Sequence, residues 1–543
     1  MASTQSARTH QRHKIARAIL WVAITLLAFA LRAAPIASAW PYIRYVDEGH
    51  VVHHAIDLLQ AKTIDNGFYN YPALPSYLIA AAISAYAPFY SHKHQRDFWS
   101  DLQRDKEMAR YYDYVSPPQV LIVARSVVLF FSVGVVIVAG VLASFLGGKR
   151  AGLLALLVTA LCPALVSRGS IVIVDTIAAF FATAALCFAQ RLHLHLVNER
   201  ASAWRFAAAA GFASGLAFDS KYMAGAVFAA VATTILLTRS DVRTKTHLLI
   251  TSTVALVIGA VLCMPALALH PANVFHTIAA IAGYYDRISY GTSYWRDAFS
   301  PRELGLPLVL ASVVGVALLI QRSRATRVVA LSWLAFALVL FIAVGRSSFQ
   351  PFRNLLPLVP ALCVGAAFLL ARGDLWFAKA EVRRVVNYWI EPAAALVVLL
   401  SLAVPTWREV ERQRTTVDSR AAAMNWLRDN TSKTDRIVAL RELAIHPAEW
   451  RRIGRKPVLM SWLAPNESIP RDGFDYLLSS DFSLQFAPDQ NAWSEQNERW
   501  TNETSRLSTR AEFGMIACFL EPGVWRTNDE RIRILQGSTG LPQ

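Results

Sequence analysis

The chain is divided into apolar runs, many of them about twenty residues long, which is the length that crosses a bilayer. Polar and basic residues separate these runs. The pattern predicts an α-helical polytopic membrane protein with about eleven transmembrane helices. The predicted spans are Ile15–Ala34, Val120–Leu146, Gly152–Ser167, Ile171–Ala189, Phe206–Phe218, Met223–Leu237, Leu248–Leu267, Leu304–Ile320, Val328–Val344, Leu355–Leu370 and Tyr388–Val404.

A further apolar stretch, Ala73–Phe89, is ambiguous because it contains or adjoins Pro72, Pro75 and Pro88. If it does not cross, and the basic N-terminus is cytoplasmic, every later inside loop obeys the positive-inside rule. If it crosses, all of those loops fall outside. We therefore predict a juxtamembrane or re-entrant helix, which also suits the prolines. The basic inside loops are then Lys149-Arg150, Arg191–Arg205, Arg239–Lys245, Arg322–Arg327 and Arg372–Arg384.

This topology predicts two domains in a protein integral to the plasma (inner) membrane. Residues 1–406 form the transmembrane domain, with an extracytoplasmic loop at 35–118 that carries juxtamembrane helices. Residues 407–543 form a small soluble extracytoplasmic α/β domain. Its pattern predicts a helix at Ser419–Asp429 and strands at Arg436–Leu440, Tyr476–Ser479 and Met515–Leu520.

The N-terminus has one competing interpretation. Four basic residues precede the first apolar run, and Ala37-Ser38-Ala39 is similar to a signal-peptide cleavage site. However, the run Ile15–Leu31 is longer than a usual signal-peptide core. We therefore favour a retained first helix over a cleaved leader.

Composition supports a membrane protein and narrows its partners. Hydrophobic residues make up 55% of the chain and charged residues 17%, against about 25% charged residues in soluble domains. The net charge is +16, and the basic residues cluster at the ends of apolar runs, where they are expected to contact anionic lipid headgroups. We therefore expect no nucleic-acid partner. The five cysteines lack metal-ligand spacing, and we expect no metal and no cofactor, although a metal near His53 and His54 is a less favoured alternative.

The predicted first outer loop contains two adjacent acids and an aromatic segment. Asp47-Glu48 follows the first span closely, and Tyr71 to Tyr77 is rich in proline and tyrosine. Two loop acids are ordinarily just solvated. Here the aromatic segment indicates a loop packed on a membrane surface, which raises the interest of Asp47 and Glu48.

Several charged residues also occur where this topology predicts the outer ends of spans. A charge near bilayer depth is costly and therefore indicates a task. The alternative is snorkelling at span ends, which explains less well why basic, acidic and aromatic residues share one face. The charged residues are Arg168, Asp175, Asp219, Lys221, Arg346 and Arg353, with Arg287 in the predicted outer loop His270–Arg302.

Such a mixture suits the transfer of a sugar from a phosphate. A carboxylate can deprotonate a hydroxyl nucleophile. Arginine and lysine bind phosphate and hold it more tightly as negative charge builds on it. Aromatic side chains can stack on a sugar or line a lipid groove.

The chain resembles the GT-C glycosyltransferases, specifically the protein O-mannosyltransferase and aminoarabinose-transferase-like group. Five segments match in order over roughly residues 15–370. They are Asp47-Glu48 after the first helix, the proline-tyrosine segment Tyr71–Tyr77, the stretch from Arg168 to Asp175-Thr176, the turn Gly215–Tyr222 and the helix start Arg353–Pro360.

The resemblance implies a GT-C fold, an undecaprenyl- or dolichyl-type phosphate sugar donor and an inverting transfer. It implies Asp47 as general base, supported by Glu48, with Asp175 as a second acid. Lys221 and Arg353 would hold the lipid phosphate, with Arg346 or Arg287 as weaker candidates. The remaining residues, expected near acceptor or sugar, are Tyr71, Tyr77 and Arg168. The proline-tyrosine segment lacks a lysine that some relatives place just before it.

The resemblance leaves the hexose or pentose undefined, and the acceptor is a protein, a lipid or a polysaccharide. Three alternatives stay open. A lipid-linked sugar flippase also suits intramembrane charges and broken helices, although the sequence shows no paired halves. The others are a glycan assembly protein without transferase activity and a polymerase or ligase that uses a lipid-linked oligosaccharide.

Overall fold

The protein is mainly helical, and its chain folds into two compact units. The computed structural model describes residues 2–65, 67–104, 115–200, 202–287, 293–345, 350–372, 389–415, 417–440, 443, 445–460, 474–480, 508–514 and 531–536. The helical unit comprises Met1–Ile36, Asp57–Ala82 and Ala124–Arg414. The mixed unit comprises Ala37–Ile56, Ile83–Val123 and Thr415–Gln543.

Most helices belong to the helical unit, and four helices contribute residues to both units: α2, α3, α5 and, by its last residue, Glu391–Thr415. The helices are α1 (Ala2–Ala33), α2 (Val46–Ala61), α3 (Leu74–His94), α4 (Phe98–Asp101), α5 (Gln119–Ala160), α6 (Pro163–Ser167), α7 (Val174–Val197), α8 (Ala203–Ser220), α9 (Phe228–Leu237), α10 (Val242–Cys263), α11 (Ala266–Leu269), α12 (Pro271–Arg287), α13 (Tyr294–Phe299), α14 (Leu306–Arg322), α15 (Arg324–Gly345) and α16 (Val359–Arg372). Helix Glu391–Thr415 follows, and 3-10 helices cover Tyr222–Val227 and Phe352–Leu358.

In its described residues, every predicted span overlaps one or more helices, and the protein is an integral membrane protein. Seven helices of the described residues are long and apolar enough to cross a bilayer. The longest, α5, has 42 residues and covers the predicted span Val120–Leu146 and the first part of Gly152–Ser167, whose end is α6. Its course changes at Gly148, whose φ of 80° lies in the left-handed region that glycine adopts at little cost. The ambiguous stretch Ala73–Phe89 is helical as α3.

Close backbone contacts fix the position of α8. A Cβ added at Gly211 would lie 2.0 Å from the carbonyl oxygen of Ser252, and one at Gly215 would lie 2.3 Å from that of Leu256. Helices α8 and α10 can therefore approach so closely only because these positions are glycine, which is typical of helix pairs in membranes. The end of α8 is held in place by this contact.

A buried arginine joins α1 to α5. The guanidinium of Arg32 donates to the hydroxyl of Ser132 at 2.8 Å and to the carbonyls of Ala160 at 3.1 Å and Thr159 at 3.2 Å. Arginine within a span is tolerated when such acceptors satisfy it. Arg32 therefore acts as a polar clamp inside an apolar core.

The mixed unit contains a five-stranded sheet. Its strands are β3 (Ile437–Leu440), β4 (Val458–Met460), β5 (Tyr476–Ser480), β6 (Ser508–Gly514) and β7 (Arg531–Gln536), in the spatial order β4-β3-β5-β7-β6. Strand β3 pairs in parallel with β4 and β5, and β7 pairs antiparallel with β5 and β6. Helices Ser419–Asn430 and Pro447–Arg452 also belong to this unit, as do α4 and a small ladder of β1 (Gln103–Arg104) and β2 (Val115–Ser116).

These elements confirm the predicted α/β character of the tail. The predicted helix Ser419–Asp429 and the first two predicted strands are present. The predicted strand Met515–Leu520 lies outside the described residues. Strands β4, β6 and β7 were not predicted. Helix and sheet bury a common apolar core, to which Met424, Leu427, Val438 and Leu477 contribute.

Candidate functional site

Lys221 is the centre of a buried polar cluster in the helical unit. It follows α8 directly, and its extended backbone (φ −156°, ψ 120°) separates that helix from the 3-10 helix Tyr222–Val227. Its ammonium group donates to a carboxylate oxygen of Asp175 and, at 2.7 Å, to the amide oxygen of Asn354. Lys221 is only 9% exposed. The break after α8 therefore places a cation among side chains of distant segments.

Asp175 lies in the first turn of α7 and is fully buried. A carboxylate there is favoured by the positive end of the helix dipole. One of its oxygens binds Lys221, and the other, Oδ2, has no hydrogen-bond partner among the described residues. The cluster thus keeps one buried acceptor position that a bound hydroxyl could fill.

Arg353 and Asn354 belong to the 3-10 helix that precedes α16. Pro351 caps this helix, and Arg353 is 9% exposed. The amide nitrogen of Asn354 donates to the hydroxyl of Tyr294 at 3.1 Å, at the start of α13. The end of α8, the N-terminus of α7 and the 3-10 helix before α16 therefore meet at Lys221. The start of α13 joins them through Asn354.

The charges of this site favour an anion. Lys221 carries a positive charge beside Asp175, Arg353 directly precedes Asn354 in the chain, and the first-turn N–H groups of α7 also favour an anion. Such a group of donors in an apolar setting binds a phosphate strongly, because few water dipoles screen it.

Asp219 is a second buried acid close to this site in sequence. Its carboxylate is fully buried and has no hydrogen bond of normal geometry with the described residues, although the backbone amide of Ala73 faces it. Tyr222, beside Lys221, donates to the carbonyl of Tyr69 at 2.9 Å. The segment before α3 is thus tied to the segment after α8.

Arg168 is engaged by an acid that sequence analysis missed. Both terminal nitrogens of its guanidinium bind Glu303, at 2.7 and 2.8 Å, and both residues are buried. The amide of Ala164 also donates to the carbonyl of Glu303 at 3.1 Å. A contact of Arg168 with sugar or acceptor would require this ion pair to open.

The predicted aromatic positions lie in the segment before and within α3. Tyr77 donates from its hydroxyl to the carbonyl of Ile64. The ring of Tyr71 lies 6.3 Å from that of Phe68. These contacts shape the segment itself, and neither is to the Lys221 cluster.

Asp47 and Glu48 occupy the first turn of α2, within the mixed unit. Both are buried, and Glu48 accepts a hydrogen bond from the backbone amide of Arg44 at 2.6 Å. The chain before α2 is fixed in turn, because Arg420 donates to the carbonyl of Ile43 at 2.9 Å. The meeting of Asp47 with Lys221 and Arg353 stays a prediction.

Two predicted phosphate ligands lie outside what the structure describes, namely Arg346 and the side chain of Arg287. Sequence analysis missed Glu303 as well as Asn354. The position of Asn354, directly after the predicted site residue Arg353, could have indicated its role. Nothing in the local sequence around Glu303 indicated that it would pair with Arg168. In the described part of the chain, no group of three or more His, Cys, Asp or Glu side chains is arranged to hold a metal ion.

Comparison with known proteins agrees with this architecture. Residues 108–275, which include Asp175 and Lys221, match the family model of dolichyl-phosphate-mannose-protein mannosyltransferase. No curated protein matches the chain by sequence. A solved structure of ArnT from Cupriavidus metallidurans in the apo state has a TM-score of 0.54 at 12% identity, covering 96% of this chain and 98% of that one.

Two further solved structures are similar. ArnT from the same organism bound to undecaprenyl phosphate has a TM-score of 0.55 at 12% identity, covering 97% of this chain and 99% of that one. The apo oligosaccharyltransferase of Archaeoglobus fulgidus has a TM-score of 0.48 at 13% identity, covering 86% and 69%. The chain therefore shares the fold of ArnT, and residues 108–275 match the mannosyltransferase family model.

Proposed function

We propose that the protein transfers a sugar from a polyprenyl-phosphate donor to an acceptor hydroxyl at the extracytoplasmic face of the plasma membrane. One observation carries the proposal: Lys221, Asp175 and Asn354 form a buried hydrogen-bonded cluster beside Arg353 in a chain with the GT-C fold. The proposed topology has a cytoplasmic N-terminus and an extracytoplasmic C-terminal domain.

The donor phosphate would bind at Lys221 and Arg353. Lys221 is already fixed by Asp175 and Asn354, so little side-chain freedom is lost when the phosphate arrives. A site ordered in advance also stabilises charge as it develops, because nothing has to rearrange during the reaction. Phosphate held in this way becomes a better leaving group.

Asp47 would be the general base. It removes the proton from the acceptor hydroxyl, whose oxygen attacks the anomeric carbon from the face opposite the phosphate. The new glycosidic bond forms as the bond from the anomeric carbon to the phosphate oxygen breaks, and polyprenyl phosphate leaves with the electron pair. The sugar inverts, through a transition state of oxocarbenium character.

The position of Asp47 suits a base that is charged when substrate binds. It lies in the first turn of α2, where the helix dipole favours a carboxylate. Glu48 is engaged with the amide of Arg44, so we assign it a supporting role. Asp175, whose Oδ2 has no described partner, would accept a hydrogen bond from a sugar hydroxyl.

Two comparisons support the donor class. A protein of the same fold, ArnT, has a structure bound to undecaprenyl phosphate. The matching family model describes a dolichyl-phosphate-mannose-dependent transferase. We propose the same donor class for this chain, with the hexose or pentose and the acceptor left to experiment.

The test is transfer by the purified full chain in detergent or nanodiscs, with polyprenyl-phosphate sugars and product detection by mass spectrometry. We expect Asp47→Asn to lower turnover by about 10²–10⁴-fold, the usual effect of losing a general base. Asp57→Asn, on the same helix, is the matched control and should retain activity.

Near-normal transfer by Asp47→Asn in a folded preparation would overturn the assignment of the base. Movement of the donor lipid across a bilayer without a new glycosidic bond would overturn the transferase proposal and identify a flippase. Donor or acceptor binding with neither reaction would identify a glycan assembly protein.

A further inference from the structure

A large cavity lies in the helical unit, away from the Lys221 cluster. Its volume is about 1040 Å³, and its walls are the end of α7, the start of α8, the loop between α9 and α10, and the start of α15. Basic side chains are prominent among its lining residues: Arg200, Arg239, Arg243, Arg324, His193 and His247.

The cavity and the Lys221 cluster occupy opposite ends of α7. Asp175 lies in the first turn of this helix, and His193 lies near its end. Eighteen residues of helix separate them, which corresponds to about 27 Å along the axis. The hydrocarbon core of a bilayer is about 30 Å thick. The cavity therefore belongs to the membrane face opposite the proposed donor site.

The charge of the cavity is positive. Four arginines line it against two acids, Glu199 and Asp241. Asp241 caps α10, and its hydrogen bonds with Thr244 hold the pKa of Asp241 below its usual range. Asp241 is therefore ionised, and the four arginines still exceed the two acids of the wall by two positive charges.

His193 provides an independent observation. This residue lines the cavity and is only 2% exposed. Its Nδ1 forms a hydrogen bond of 2.8 Å with the hydroxyl of Thr238, whereas its Nε2 has no partner among the described residues. The buried hydroxyl of Ser240, also on the wall, has none either. The hydroxyl of Thr238 donates to the carbonyl of Thr234 at 2.6 Å, so Nδ1 of His193 carries the hydrogen and Nε2 is an acceptor. Buried polar atoms are normally satisfied, so these two indicate a site that receives a polar ligand with a hydrogen to donate, such as a phosphate or headgroup hydroxyl.

We propose that this cavity binds a phosphate-bearing anion. Arginine is well suited to phosphate because its planar donors bind two oxygens at once. Apolar side chains share the wall, namely Val197, Trp204 and Leu237, and all three are partly exposed. A basic pocket with an apolar border, between spans, suits the headgroup of an anionic phospholipid, and a soluble phosphate shares the same chemistry.

The experiment measures binding by the full chain in nanodiscs of neutral phosphatidylcholine, so it is independent of transferase activity. One arm adds phosphatidylglycerol to the lipid, and the other adds inorganic phosphate or pyrophosphate to the buffer. Native mass spectrometry counts retained phospholipid, and calorimetry follows the soluble anions. We expect Arg239→Gln with Arg324→Gln to weaken retention at least tenfold.

Arg327→Gln is the matched control, since Arg327 is exposed on the same helix as Arg324 and binds the carbonyl of Ile320 at 3.0 Å. It should bind like the unaltered protein. If the double variant unfolds, Arg243→Gln, an exposed wall position, is measured instead and should weaken retention several-fold. Loss confined to the lipid arm identifies a headgroup, and loss confined to the soluble arm identifies a free phosphate.

Two results would overturn the proposal. One is equal retention by the unaltered protein, the wall variants and Arg327→Gln, which would indicate only diffuse surface charge. The other is the absence of any preference for phosphatidylglycerol, inorganic phosphate or pyrophosphate over the neutral lipid.

Discussion

The two ends of α7 hold positive charge differently. At the Asp175 end, Lys221 is nearly buried and fixed by an acid and an amide. At the His193 end, the arginines of the cavity are exposed and line an open space. A buried charge with few partners can be aimed at one atom, whereas a group of exposed charges attracts any suitable anion and is screened by salt. The first arrangement suits a reaction, and the second suits binding.

The largest expected effect on activity comes from replacing the buried Lys221, and it tests whether the buried charge serves the reaction. We expect Lys221→Met to lower transfer by about 10²–10³-fold, because it removes charge stabilisation of the leaving phosphate. It should also destabilise the fold by about 3 kcal/mol, since Asp175 becomes an uncompensated buried charge.

The double variant Lys221→Met with Asp175→Leu separates the two effects. It should recover thermal stability but not activity, as measured by unfolding temperature and product yield. Recovery of both would mean that the cluster is only structural. Lys433→Ala, an exposed position in the mixed unit, is the control and should change neither quantity.

The next effect sharpens the contrast between buried and exposed ion pairs. Glu303→Gln should destabilise the helical unit by about 3 kcal/mol, because Arg168 keeps its charge without its carboxylate. The measurement is thermal unfolding in detergent. Asp429→Asn, which removes an exposed pair with Arg428, should leave the unfolding temperature unchanged. Equal effects of the two variants would contradict the comparison.

The smallest effect concerns a buried histidine of the mixed unit. His446 caps helix Pro447–Arg452, and its Nδ1 accepts from the amide of Ala448 at 3.1 Å. Burial, and secondarily Arg451, lowers the pKa of His446 to about 4. An unfolded histidine has a pKa of about 6.5. The unfolded state therefore binds the proton more readily, and stability should fall as the pH drops from about 6.5 to 4.

The size of this loss should be on the order of 2–3 kcal/mol. His446→Asn is the control, since asparagine also caps helices but does not titrate in this range. Unfolding of both proteins should be followed across this pH range. A parallel pH dependence would show that another group is responsible.

Much of the helical architecture was predictable, because a membrane span is recognised in the sequence as an apolar run of a set length. The break between two predicted spans at residues 147–151 coincides with the kink at Gly148. In the tail, β7 has the alternation Arg-Ile-Arg-Ile, a strand signal that the prediction overlooked. Strand β6, with the sequence Ser-Thr-Arg-Ala-Glu-Phe-Gly, offered little alternation to detect.

The sequence indicated which residues belong to the site better than it indicated which of them pair with each other. Asp175 and Lys221 stood out as charges at span ends, yet their ion pair joins positions 46 residues apart and depends on how α7 and α8 pack. The partner of Arg168 was less accessible still, since Glu303 is 135 residues away. Local sequence shows which residues are unusual, and tertiary packing decides which of them meet.

The clamp at Arg32 has a consequence for how the protein is made. Its acceptors, Ser132 and Ala160, lie 100 and 128 residues later in the chain. During synthesis, α1 emerges before these groups have been translated, so its guanidinium must first be accommodated by headgroups, water or the insertion machinery. Helix α1 can therefore reach its final packed position only after α5 has been synthesised. Its stable packing in the membrane is then a late step of biogenesis.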